Sequence, residues 1–146
     1  MLGYLAATFV TGLALLLVGG GTIAAWVLGK LSPEEVAKRR VYREALGFPA
    51  DPAAFVSGLP ELRQTLYARV FEAAARLSAQ GYRGISDPQR EWPRLAEDPT
   101  VNDREALAAV LTLSRVERAF VPSMQHAALD QLNERAWSRM RALGFC

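Results

Sequence analysis

The sequence lacks charge over one long stretch. None of the first 29 of its 146 residues is charged, so all 17 basic and all 15 acidic side chains lie from Lys30 onward. A helix that is apolar on every side over such a length is not the amphipathic surface helix of a globular domain. We therefore expect two parts of the chain in two different environments.

Cysteine, histidine and excess charge are also scarce. The single cysteine, Cys146, excludes an internal disulfide, and the net charge of +2 argues against a nucleic-acid binder. The single histidine, His126, offers no Ser-His-Asp triad. Asp130 lies one turn after His126, so the two side chains could at most form a metal site with two ligands. We prefer the interpretation that His126 faces the solvent. We predict a protein that is not an enzyme and binds no metal.

Residues 2–28 are predicted to form a transmembrane helix. This run of 27 residues exceeds the roughly 20 that a membrane-spanning helix needs. Tyr4 and Trp26 lie about 33 Å apart along such a helix, which would place one ring at each membrane interface. A cleaved signal peptide is the main alternative, but no basic residue precedes the run and the run is too long. The predicted organisation is a transmembrane helix in residues 1–30 and a cytoplasmic helical domain in residues 31–146.

Basic residues follow the apolar run, and none precedes it. By the positive-inside rule, this asymmetry predicts an N-terminus outside and a helical domain in the cytoplasm. Arginine makes up 15 of the 17 basic residues. Together with the many alanines, this indicates a bacterial source, and hence the inner membrane. The residues that set the orientation, and that could also contact anionic lipid, are Lys30, Lys38, Arg39, Arg40 and Arg43.

One face of the predicted transmembrane helix is rich in small residues, which allow helix backbones to approach closely in lipid. The alternative is that such residues are common in any membrane helix. No motif for a bound cofactor is present, and only lipid or pigment contacts with this helix remain open. The predicted packing residues are Gly3, Ala7, Thr11, Gly12, Gly19, Gly20, Gly21 and Ala24.

The rest of the chain is predicted to be all-α, a small bundle of about three main helices plus short ones. Prolines and capping residues place helices at 33–46, 60–80, 103–120 and 123–143, with Thr100 or Asn102 capping the third. Gly81 and Gly144 are expected to end two of them. No alternation typical of strands is present. The predicted core comprises Leu66, Val70, Leu107, Val110, Leu111, Leu132 and Met140.

The segment 81–101 is too rich in proline and glycine to be a core helix. It holds large aromatic and arginine side chains, the types enriched at the energetic centres of interfaces. We predict that it docks on a partner through Tyr82, Arg83, Arg90 and Trp92. The alternative is that Trp92 folds back to cover the bundle.

These observations favour an accessory, structural subunit of a larger membrane complex, such as a respiratory, photosynthetic or other energy-transducing assembly. Its partners would be other membrane-protein subunits and the lipid bilayer. The alternative is a single-pass adaptor that recruits a soluble partner through the 81–101 loop. A membrane-anchored enzyme is the least favoured interpretation, because no catalytic constellation is recognisable.

Overall fold

The computed structural model describes residues 32–46, 52 and 56–146, and all regular structure in them is helical. The predicted all-α class is therefore confirmed for these residues. In the described part of the chain, no helix combines the length and apolarity that a membrane crossing needs. The predicted transmembrane helix, with its packing residues and with Tyr4, Trp26 and Lys30, lies outside the described residues.

Six α-helices are described. The four longer ones are α1 (Pro33–Leu46), α2 (Leu59–Ala79), α5 (Arg104–Glu117) and α6 (His126–Ala142). Two single-turn helices, α3 (Pro88–Glu91) and α4 (Arg94–Glu97), lie between α2 and α5. Short 3₁₀ turns at Val56–Gly58 and Ser123–Gln125 precede α2 and α6.

Helix α1 starts as the sequence predicts. The Ser32 hydroxyl accepts a hydrogen bond from the Glu35 amide at 3.0 Å, and Pro33 occupies the first helical position. Residues 32–37 comprise the capping residue and the first turn of α1. From Lys38 onward the helix belongs to the bundle of residues 38–146.

Helix α5 is the centre of that bundle and packs against both α2 and α6. Its apolar side chains are buried around its whole circumference, as its composition predicts, and its two small polar side chains bond to backbone carbonyls. Leu107, Val110 and Leu111 have no exposed surface. The other predicted core residues, namely Leu66, Val70, Leu132 and Met140, are buried as well, so the predicted core is confirmed.

The start of α5 differs from the prediction. Asp103, rather than Thr100 or Asn102, caps the helix, because its carboxylate accepts the Ala106 amide at 3.0 Å. The same carboxylate binds the Arg76 guanidinium of α2 through two contacts of 2.8 Å. One residue thus fixes both the start of α5 and its alignment with α2. The helix also ends earlier than predicted, at Glu117 rather than Phe120.

Two helix ends follow the same C-terminal design. Gly81 (φ 101°) follows α2 and Gly144 (φ 75°) follows α6, in the left-handed region that glycine adopts without strain. The Tyr82 amide bonds to the Leu77 carbonyl, and the Phe145 amide bonds to the Met140 carbonyl. This pattern is a Schellman motif. Both predicted stops are confirmed.

Replacing Asp103 separates its two roles. Asp103→Asn keeps a good cap but loses the ion pair, and is expected to cost about 1 kcal/mol at pH 7. Asp103→Ala loses both and is expected to cost about 2 kcal/mol. The hydrogen bonds from Arg76 hold the pKa of Asp103 below its usual range. Its contribution is therefore complete above the unfolded pKa, about 3.9, and is lost as the pH falls through the folded pKa.

Chemical unfolding of both variants and the parent protein between pH 7 and pH 2 tests this. The gap in stability between the parent protein and Asp103→Asn should shrink as the pH falls. A gap that stays constant down to pH 2 would show that the Arg76 contact contributes no charge-dependent stability.

Candidate docking surface

The segment 82–103 is folded against the bundle and is not an open loop. Arg139 of α6 donates hydrogen bonds to the backbone carbonyls of Asp98 and Val101. At the other end of the segment, the Glu91 carboxylate accepts the backbone amides of Ser86 and Asp87, and these bonds lower the pKa of Glu91. The segment forms two separate single-turn helices, α3 and α4. Pro93, which has no amide hydrogen, stands at the break.

Trp92 lies in the core. Its side chain is only 6% exposed, and its ring meets Tyr67 of α2 edge-on, with centroids 6.5 Å apart and planes at 86°. This is the arrangement expected if the ring covers the bundle, so Trp92 offers no exposed ring to a partner. The spacing of Trp92, Leu95 and Ala96, all buried, is that of one helical face and could have predicted this burial.

The Tyr82 side chain is also hydrogen-bonded within the segment. Its hydroxyl donates to the Asp98 carboxylate at 2.7 Å, and burial together with this carboxylate raises the pKa of Tyr82 to about 12. Gly84 permits the close approach of the ring, since a Cβ there would lie 2.2 Å from the Tyr82 hydroxyl oxygen. Of the four predicted docking residues, Arg83 and Arg90 are the exposed ones, and the Arg90 side chain is 83% exposed.

A groove beside Trp92 is the main exposed aromatic feature of the described residues. It lies between α2 and α3, has a volume of about 410 Å³, and is called the aromatic groove here. Phe71, at 44% exposure, is its most accessible large apolar side chain. The residues that line it are Arg63, Gln64, Tyr67, Ala68, Phe71 and Gln89. Tyr67 and Phe71 lie one turn apart on α2, beside its buried stripe, and the helical period alone does not show that Phe71 stays uncovered.

The one charged side chain of the aromatic groove is already neutralised. Arg63 donates to both carboxylate oxygens of the buried Glu117, at 2.5 and 3.3 Å. Its guanidinium carbon lies 4.5 Å from the Phe120 ring centroid and 5.7 Å from that of Tyr67. The hydrogen bond to Glu117 raises the pKa of Arg63, and burial, followed by the Glu117 charge, raises that of Tyr67. The groove is thus aromatic and close to electrically neutral.

A smaller cleft of about 150 Å³ lies where the end of α1 meets α2 and α5. Its charges pair across the helices. Arg104 binds Glu44 at 2.5 Å, and Arg76 binds Asp103. These contacts join three helices, and we interpret the cleft as structural.

The single histidine, His126, is hydrogen-bonded within the fold. The His126 Nε2 atom lies 2.8 Å from the backbone carbonyl of Arg118, which can only accept, so this nitrogen carries the proton and donates. Asp130 pairs with Arg118 at 3.0 Å. His126 is half-buried, not solvent-facing as preferred from the sequence. No cluster of three or more metal-ligating side chains occurs among the residues described.

The basic residues of α1 face in different directions. Lys38 is buried, and its ammonium group donates to Asn133 and Glu134 of α6 at 3.0 and 2.7 Å. Its ammonium group is thus engaged within the bundle, and its role in orientation or lipid contact stays a prediction. Arg39 is half-buried, whereas Arg40 and Arg43 are exposed. Lys38 shares a helical face with Tyr42 and Ala45, a spacing that could have indicated its burial.

Comparison with protein-family models, with curated proteins and with solved structures finds no match for this chain.

Proposed function

We propose that the protein is a non-catalytic accessory subunit of a larger membrane complex. Residues 2–28 would anchor it in the inner membrane of a bacterium, with the N-terminus outside and the helical domain in the cytoplasm. The uncharged run and the basic residues after it support this placement. The aromatic groove, rather than the ring of Trp92, would be the contact surface of the helical domain.

The observation that carries the docking part of the proposal is the exposed ring of Phe71 within a defined groove. Exposed aromatic side chains in shallow pockets are typical anchor points of protein interfaces. The groove follows α2 from Gln64 to Phe71, about two helical turns or 10 Å. Because Arg63 is already paired with Glu117, the lining favours an uncharged occupant. We propose that the occupant is the apolar face of a helix from a neighbouring subunit.

Phe71→Glu is expected to release the protein from its complex. A carboxylate in the groove would have to be desolvated on docking and would lack a free cation, since Arg63 is already paired. We expect at least a tenfold loss of co-purified partner, from roughly 1.4 kcal/mol or more of lost affinity. The measurement is co-migration on a native gel after mild-detergent extraction of native membranes. The melting temperature should change little, because the side chain is exposed.

Met124→Glu is the matched control. Met124 is 84% exposed, does not line the aromatic groove, and receives the same new charge. Equal association of both variants with the complex would reject the groove as the docking surface. Migration of the unsubstituted protein as a single chain would reject the accessory-subunit proposal itself. A partner that leaves the membranes without detergent would be a soluble protein. That result would favour the alternative of an adaptor that recruits a soluble partner.

A further inference from the structure

The outer face of α1 carries two arginines one turn apart. Arg40 and Arg43 are both exposed, whereas the opposite face of the helix is buried. The buried residues of α1 are Lys38, Val41, Tyr42, Ala45 and Leu46. Packing of that face leaves both arginines on the solvent-exposed side of α1. Side chains three positions apart on a helix are neighbours and can act on one ligand.

Two carboxylates on or beside α1 pair with other cations. Glu44, next to Arg43 in the chain, pairs with Arg104 of α5. Glu134 of α6 pairs with the buried ammonium of Lys38. Neither Arg40 nor Arg43 forms an ion pair with a residue that the structure describes. The two guanidinium groups are therefore not engaged by any carboxylate of the described residues.

The position of α1 in the chain indicates a binding partner for its outer face. The helix begins at Pro33, four residues after Gly29, the last residue of the uncharged run. Four residues reach at most about 14 Å. If residues 2–28 span the bilayer, α1 starts within reach of the lipid head groups. Basic side chains just cytoplasmic of a membrane helix are attracted to anionic lipid.

We propose that Arg40 and Arg43 form a binding surface for the phosphate groups of anionic phospholipids such as phosphatidylglycerol. This inference rests on the membrane placement proposed above. A guanidinium group forms paired, charge-assisted hydrogen bonds with phosphate oxygens, and its charge persists at all physiological pH values. The surface binds the outer face of α1 to the cytoplasmic leaflet.

The test uses the full chain in a neutral detergent, titrated with short-chain phosphatidylglycerol and, separately, with phosphatidylcholine of the same chain length. Lipid bound per protein is measured by native mass spectrometry. The unsubstituted protein should bind phosphatidylglycerol preferentially. Arg40→Gln combined with Arg43→Gln should weaken this binding about 25-fold, which corresponds to about fivefold for each arginine. Arg40→Lys combined with Arg43→Lys should retain most of it.

Arg69→Gln combined with Arg141→Gln is the control, because it removes the same charge from two other exposed positions. This pair should bind phosphatidylglycerol like the unsubstituted protein. An equal loss in both double variants would show general charge attraction and overturn the proposal. Equal binding of the two lipids would overturn it as well. Displacement of the lipid by inorganic phosphate at equal concentration would identify a free-phosphate site instead.

Failure of this inference is separable from failure of the proposed function. Extraction of native membranes with alkaline carbonate reports on membrane anchoring alone. Release of the chain by carbonate would remove the premise of both proposals. Retention of the chain in the membrane, combined with lipid binding that does not depend on Arg40 and Arg43, would overturn only the lipid surface.

Discussion

Truncating Leu111 to alanine is expected to lower the free energy of unfolding by about 2–5 kcal/mol. Leu111 has no exposed surface and lies in the middle of α5, the helix that packs against both α2 and α6. The substitution removes apolar contacts and leaves a cavity that well-packed neighbours fill only in part. Thermal and chemical unfolding of the full chain in detergent, followed by circular dichroism, measures the loss.

Leu143→Ala provides the matched control, because the same atoms are removed from a side chain that is 37% exposed. Its cost should stay below about 1 kcal/mol, since it leaves no closed cavity. A cost under about 0.5 kcal/mol for Leu111→Ala would place Leu111 at the surface and contradict the central position of α5. Association with the proposed partner subunits should not change in either variant that still folds.

The helices and the core could be predicted because they depend on local rules. Ser32 and Pro33 mark the start of α1. Gly81 and Gly144, in the left-handed conformation, follow the ends of α2 and α6. The apolar positions of α2 and α5 recur every three or four residues, so the inward face follows from the period alone. These features need no knowledge of which helix meets which.

Sequence patterns are least informative where a side chain has two competing uses. Asn102 and Asp103 are both good caps by residue type, and the Arg76 guanidinium on α2 decides between them. Lys38 looks like a lipid-facing cation beside Arg39 and Arg40. In the fold, however, its ammonium group bonds to Asn133 and Glu134. The first choice depends on residues 27 positions apart and the second on residues 95 and 96 positions apart, and a single sequence does not reveal such contacts.

The candidate docking surface was only partly visible in the sequence. Composition pointed to the segment around Arg90, and its neighbour Gln89 does form one wall of the aromatic groove. The other wall is α2, which periodicity identified only as a core helix. A groove made by two elements exists only after they pack, so its exposed ring, Phe71, could not be singled out beforehand.

Truncating Trp92 to alanine is the second change with a large expected effect. Because the ring is 94% buried against Tyr67 and the bundle, we expect a loss of about 3–5 kcal/mol in the free energy of unfolding. In a helical region of this size, that loss should lower the melting temperature by about 10 °C or more. Association with partners should be reduced only to the extent that the groove wall beside Gln89 is disturbed.

Arg90→Ala separates packing from docking within the same segment. Arg90 lies two residues before Trp92 and its side chain is 83% exposed, with its nearest carboxylate, that of Asp87, 3.9 Å away. Its loss should change stability by less than about 0.5 kcal/mol. Reduced co-purification at an unchanged melting temperature would show that the surface of the segment contacts the partner. If instead Trp92→Ala abolished association and left the melting temperature unchanged, the ring would be a partner-binding anchor. In that case the Trp92 ring would not be buried against Tyr67 in the free protein.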